Sequence, residues 1–421
     1  MLDKNSMVRN QLSEIERANT DDTFAKNLHE KCIEQLISHI KKTVPFYKNI
    51  QSHNFEEFPI VNKIMMKDNM LAFRSDADLK IGKIRHTSGS TGIPFEIVQD
   101  TRKAKRIQAE VIYYRELTGD ELGAKFVNLI SPSRIEKTNS ISKLKQNVIA
   151  FDVTKMDEEM IERLRRKLLR NRKIQFMMGY ASALERIVTY LDEKNYDDKY
   201  PLKAIVSSSE VLTNATITKL NHVFGSPVYD RYSNEDNGLI AQTDGFSHDF
   251  IVNRASYYIE ILKIDSDEPA EENEIGRIIV TDYFNFAQPF FRYDTGDLGA
   301  FSYKNINGCR RYILTKVAGR VSDIVYDMNN KPISTFAIGC ALETFSEIKQ
   351  YQLIQNTKED FILNIIDPKR QYKNEDYKKT LEDVLGSGIN LSIDYLDKLP
   401  VTRSGKYKRI ICNYKPESDS Y

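Results

Sequence analysis

The sequence predicts an α/β fold, a large multi-layer N-terminal domain followed by a small α+β C-terminal domain, on three observations. The chain has 421 residues, more than one compact core usually holds. From about residue 84, strand-like and helix-like patterns alternate, as layered α/β architecture requires. Past Gly319-Arg320 the pattern changes to short strands and helices, enough for a separate small domain. The expected division is 1–320 and 321–421.

Taken in order, the first 80 residues read as helical, with Leu28, Cys32, Leu36 and Ile40 at i, i+4 spacing up to Pro45. Lys125–Ser131 is a short apolar run stopped by Pro132, the form of a buried strand. Thr154 is the expected start of a helix, with Asp157 in a capping-box position and Met160, Ile161, Leu164 and Leu168 as its apolar face. Lys203–Ser207 reads as a strand leading into a helix that Thr213 caps and Gly225 ends. Ile275–Thr281 has the β-branched density of a core strand, and Phe361–Ile366 reads as a buried one.

Composition excludes several function classes. Lys+Arg 61 against Asp+Glu 60 leaves a formal net charge of +1, which provides no global field for nucleic acid or an anionic membrane. The first residues are charged throughout and carry no apolar secretory core, and no run approaches the roughly 18 apolar residues of a membrane span. Cys32, Cys309, Cys340 and Cys412 lie far apart without a CxxC pair, as expected of reduced thiols in a cytoplasmic protein.

Two segments carry chemistry. In His86–Pro94 (HTSGSTGIP) glycines and hydroxyls crowd together after a strand. Glycines permit successive N–H groups to converge on one anion, and Ser and Thr add donors to phosphate oxygens. No lysine follows Gly92, so this is not a Walker A loop; a polar surface loop is the alternative. Near the C-terminus, Leu399–Lys406 (LPVTRSGK) presents Lys406 after Ser-Gly, either a catalytic cation or a solvated turn charge.

Together, TSGSTGIP and PVTRSGK resemble the adenylate-forming superfamily of acyl-CoA synthetases, peptide-synthetase adenylation domains and luciferases. Phe291–Leu298 (FRYDTGDL) is similar to its YRTGDL element, and Gly319–Asp323 (GRVSD) to its GRxDD element, in the same order. Val44–Tyr47 and Phe58–Ile60 look like the N-terminal part of the phenylacetate–CoA ligase branch. Met178–Ser182 and Ser208–Leu212 look like its acyl-pocket and adenine-side segments. Within that branch the likeness is to short proteins associated with capsular polysaccharide synthesis.

The resemblance implies an activity: a carboxylate attacks the α-phosphorus of ATP, pyrophosphate leaves, and an acyl-adenylate forms. Thr87, Ser88, Gly89, Ser90, Thr91 and Gly92 would hold the β- and γ-phosphates, with Mg²⁺ neutralising them. Lys406 would be the catalytic residue, contacting the α-phosphate and acyl oxygens. Asp297 and Arg320 would hold the ribose, Tyr232 would lie against adenine, and Ser208, Ser209 and Glu210 would line the adenine side. Tyr180 and Ser182 would face the acyl group. Tyr232–Asp236 (YSNED) falls where the superfamily has YGxTE, so either Asp236 or Glu235 would hold the metal. Ser322 or Asp323 would be the hinge about which a mobile C-terminal domain rotates. Ala241–His248 lacks cysteine, so the zinc site of some relatives is not expected.

The acid reads as small or polar, from Tyr180, Ser182, Ser208 and Ser209. CoA, an amine such as an amino sugar, or a carrier-protein thiol could each accept the acyl group. The basic cluster Arg403, Lys406, Lys408 and Arg409 suits an acidic carrier, though a solvated charge run is the default. Two other classes remain: a nucleotide-binding scaffold without catalysis, motivated by the altered YSNED and RVSD segments, and an acyl-protein synthetase feeding a reductase.

Overall fold

The computed structural model describes residues 6–87, 95–119, 123–130, 147–306, 308–320, 325–333, 335–342, 344–345, 348, 350–399 and 408–414. The architecture is mixed α/β, a large sheet-built N-terminal part and a smaller C-terminal domain. Packing divides the chain into two compact units, Met1–Leu122 with Tyr229–Val317 and Gly123–Val228 with Ala318–Tyr421. Residues 123–228 therefore group with the C-terminal stretch, a division different in kind from a single cut near Arg320. No helix among the described residues is long and apolar enough to cross a membrane.

In the first unit, helix Asp22–Thr43 is capped by the Asp21 carboxylate, which accepts from the Phe24 N–H. Leu28, Cys32, Leu36 and Ile40 are all buried, as their spacing predicts, and the helix stops before Pro45. Antiparallel strands run in the spatial order Tyr257–Leu262, Gly276–Asp282, Tyr293–Ile306, Cys309–Arg320, Phe250–Val252, Gly238–Thr243 and Val228–Asn234. The 275–281 segment is thus an interior strand, as its β-branched residues require. An aromatic core of Tyr47, Phe58, Phe73, Phe95, Phe291 and Tyr293 packs between the N-terminal helices and this sheet. Strands Ile81–Thr87 and Phe95–Asp100 pair antiparallel, with Thr87 opposite Phe95.

In the second unit, parallel strands lie in the order Ala204–Ser208, Ile174–Tyr180, Lys125–Ile130 and Val148–Asp152. Helices Glu158–Arg170, Ala181–Lys194 and Asn214–Phe224 bury their apolar faces in one cluster with these strands. Thr213 caps the last helix by accepting from the Thr216 N–H, and Gly225 ends it at φ +61°. The helix expected at Thr154 begins later. Asp152 holds a 3₁₀ turn at Val153–Lys155, and Asp157, not Thr154, is the cap of Glu158–Arg170, accepting from Met160 N–H at 2.8 Å. Asp competes better than Thr for a cap position because its carboxylate also meets the helix dipole.

The C-terminal residues form a four-stranded sheet in the order Asn390–Tyr395, Asp360–Ile366, Gln350–Gln355 and Ile410–Cys412. Only Phe361, Leu363 and Ile365 of the 361–366 run are buried, facing Tyr377, Leu381 and Leu385 of helix Asn374–Leu385. That strand is half-buried, covered by helices on one side.

Candidate active site

In the first unit the structure joins two residues assigned to nucleotide binding. Tyr232 is buried in strand Val228–Asn234, and its hydroxyl donates to Asp297 Oδ2 at 2.8 Å. Asp297 follows Gly296, whose φ of +73° belongs to the left-handed region where a side chain is strained. Thr295 fixes this bend: its hydroxyl donates to the Ile278 carbonyl at 2.9 Å and accepts from Asp297 N–H at 3.1 Å. The TGD sequence is thus a braced turn that presents one carboxylate.

The two candidate metal carboxylates are both held by cations. Asp236 is buried; Lys63 Nζ lies 3.1 and 3.3 Å from its two oxygens, and the Tyr293 hydroxyl donates to Oδ2 at 2.8 Å. Burial, reinforced by the Asp236 charge, pushes the Tyr293 phenol well above its ordinary value, so it stays a donor. Glu235 is more exposed and pairs with Arg85 at 2.7 Å. Arg85 lies on the strand entering residues 88–94, and Lys63 sits 5.2 Å from the centroid of Phe95, the first residue beyond them. The Arg85 charge, more than burial, lowers the Lys83 ammonium below its usual range. Cations therefore concentrate where an anion is expected.

The second unit holds Tyr180 and Ser182, expected at the acyl group, and Ser208, Ser209 and Glu210, expected on the adenine side. Tyr180 and Ser208 are buried at the C-terminal ends of neighbouring parallel strands, in register with each other. That is the end of an open α/β sheet where ligands bind. Glu210 accepts from the Ser182 N–H at 2.9 Å, satisfying the first turn of helix Ala181–Lys194 and tying the two segments together. Ser209 has φ +73°, an uncommon conformation for a non-glycine residue.

Ser88, Gly89, Ser90, Thr91, Gly92, Ser322, Asp323 and Lys406 lie outside the described residues, as do the side chains of Thr87 and Arg320. Sequence reading missed Lys63, Arg85 and Tyr293. Tyr293 lies inside the quoted FRYDTGDL segment, but nothing local marks Lys63 or Arg85 as partners of acids far along the chain.

Residues 325–413 match the CapK C-terminal domain. Over 415 residues, 92% of this chain, the sequence is 22% identical to protein CapK of Staphylococcus aureus, covering 89% of that protein. A 2-hydroxyisobutyryl-CoA ligase crystallised in the postadenylation state superposes with TM-score 0.72 at 16% identity, covering 94% of this chain and 91% of that one. The amide bond synthetase McbA of Marinactinospora thermotolerans gives TM-score 0.54 at 13% identity, covering 77% and 66%. The chain accordingly has the fold of these ligases, and its residues 325–413 match the CapK C-terminal domain.

Proposed function

We propose that this protein is an adenylate-forming ligase that activates a small carboxylic acid with ATP, releases pyrophosphate, and passes the acyl group to CoA or to an amine. The observation that carries this reading is the Tyr232–Asp297 hydrogen bond at 2.8 Å, which joins across 65 residues the two side chains we assign to adenine and to ribose. The TM-score of 0.72 to a CoA ligase in its postadenylation state supports it. The capsule-type likeness of the sequence makes an amino sugar the amine of first choice.

Tyr232 would lie against adenine, while Asp297 and Arg320 would bind the ribose hydroxyls. Thr87 to Gly92 would donate to the β- and γ-phosphates, and Lys406 to the α-phosphate and acyl oxygens. Because charge accumulates on those oxygens during attack, donors fixed beforehand supply the main rate effect. Tyr180 and Ser182 would face the acyl group, with Ser208, Ser209 and Glu210 on the adenine side.

Mg²⁺ is usually bound by one or two carboxylates and substrate phosphates. Asp236, or Glu235 beside it, would hold that ion and thereby give up its ion pair with Lys63 or Arg85. Mg²⁺ would supply neutralisation of the triphosphate. Ser322 or Asp323 would serve as hinge between the half-reactions.

The test is carboxylate-dependent ATP–pyrophosphate exchange with pooled acids. Exchange should appear with one pool and fall about 10²–10³-fold in Lys406→Ala. Acceptors can then be separated by mass spectrometry of products formed with CoA, amino sugars or carrier protein. A folded protein that binds ATP but exchanges with no pool would be a scaffold instead.

A further inference from the structure

We infer that Arg409 is a positioning residue that seats the C-terminal domain on the acyl-side and adenine-side segments for adenylation. Its main chain belongs to the C-terminal sheet, where its carbonyl accepts from the Leu353 N–H at 2.9 Å. Its side chain leaves that sheet. Nη2 donates to Glu185 Oε2 at 2.9 Å, and Nη1 donates to the Val211 carbonyl at 3.4 Å. One partner follows the segment assigned to the acyl group, the other lies in the segment assigned to adenine. Glu185 lies on the first turns of helix Ala181–Lys194, directly after Tyr180 and Ser182, and Val211 follows Glu210, which itself accepts from Ser182 N–H.

One guanidinium therefore touches both segments that Glu210 ties together. The side chains of Arg409 and Glu185 are only 11% and 17% exposed, so this pair is shielded from the screening that makes surface ion pairs weak. The fork geometry of arginine suits a two-point contact that lysine could not reproduce. Sequence reading placed Arg409 in a solvated basic run with Lys408. Lys408 is exposed, but Arg409 is withdrawn from that run.

Lys406 precedes Arg409 by three residues, a chain span of at most about 11 Å. Holding Arg409 consequently restricts where the Lys406 ammonium can act. Adenylation needs that ammonium delivered, whereas the acyl-transfer step needs it withdrawn. A contact present only in the first arrangement stabilises the first transition state selectively. The inference rests on the adenylation reading above.

The experiment is a double-mutant cycle with Arg409→Ala, Glu185→Ala and the double variant, read in three ways. Pyrophosphate exchange should fall about 10-fold in each single variant and no further in the double, because one shared contact is lost once. Transfer from chemically prepared acyl-adenylate to the acceptor should stay within about twofold of wild type, as an effect confined to one half-reaction requires. Hydrogen–deuterium exchange should show helix Ala181–Lys194 and strand Ile410–Cys412 losing protection together in Arg409→Ala. Additive losses in the cycle, equal losses in both half-reactions, or unchanged protection would each overturn the role of Arg409. Absence of exchange in the wild type with every acid would overturn the adenylation reading, while the protection measurement would still decide whether the anchor exists.

Discussion

Tyr232 donates its hydroxyl hydrogen to Asp297 at 2.8 Å, joining strand Val228–Asn234 to the turn at the start of strand Tyr293–Ile306. A carboxylate accepts more than one hydrogen bond, and under the proposed function Asp297 takes a second donor. If that donor is a ribose hydroxyl, Asp297→Ala should weaken ATP binding about 10-fold or more, whereas Tyr232→Phe should cost about 1 kcal/mol through loss of one hydrogen bond. Isothermal titration with ATP, without acid, measures both. Wild-type affinity in Asp297→Ala would remove the ribose role.

Asp236 supports a stability prediction. Its side chain is only 7% exposed and depends on Lys63 and the buried Tyr293 hydroxyl. Tyr293→Phe removes a donor from a buried carboxylate and should lower unfolding stability by about 1.5–3 kcal/mol. Lys63 is more exposed, at 38%, so Lys63→Met should cost less because water screens the pair. Urea unfolding compares the two; the reverse ranking would mean that the lysine, not the phenol, satisfies Asp236.

Much of the scaffold was legible because its signals are local. The Leu28–Ile40 stripe, the Thr213 cap and the Gly225 stop each depend on residues within a few positions, and each appears where the spacing puts it. The start of the helix at Asp157 is harder to read because Thr154 is also a good cap, and only the Asp152 carboxylate, which accepts from Thr154 N–H, turns Val153–Lys155 into a 3₁₀ turn instead. The Lys63–Asp236 contact spans 173 residues, and no periodicity encodes such a pairing. Arg409 shows the same limit from the other side: in sequence it belongs to a charge run, and only the meeting of the C-terminal strand with helix Ala181–Lys194 removes it from water. Grouping of residues 123–228 with the C-terminal stretch is likewise a tertiary outcome that composition does not announce.

Acid stability has a defined sign. His29 and His39 lie on helix Asp22–Thr43, and burial is the main cause lowering both from the ordinary value of 6.5. The folded state then binds fewer protons than the unfolded chain below pH 6.5, so stability rises with pH there and is lost on acidification through that value. The His29 Nδ1 and the Tyr283 hydroxyl are 2.6 Å apart, and His39 Nε2 meets the Phe286 carbonyl at 2.9 Å. His29→Gln with His39→Gln should flatten the acid limb while lowering stability at pH 7.5. An unchanged slope of unfolding free energy between pH 5 and 6.5 would assign acid sensitivity to other groups.

Beneath the Asp236 segment lies a charge pair that no water reaches. Lys103 Nζ and Asp282 Oδ2 are 2.6 Å apart, each side chain with 0% exposure. Lys103 also donates to the Tyr257 hydroxyl at 2.9 Å, and Tyr257 donates to the Asn237 carbonyl at 2.7 Å. Asn237 adjoins Asp236, so the pair supports the site through two hydrogen bonds. Lys103→Met strands the Asp282 carboxylate and should destabilise by about 3–5 kcal/mol, whereas Lys103→Met with Asp282→Leu should recover most of that loss, since removing both charges also removes their desolvation cost. Recovery of stability should not restore the Tyr257 contact. The double variant should therefore fold well yet need more Mg²⁺ for half-maximal pyrophosphate exchange. Wild-type Mg²⁺ dependence in that variant would show that the buried pair serves the fold alone and that Asp236 is placed by Lys63 and Tyr293.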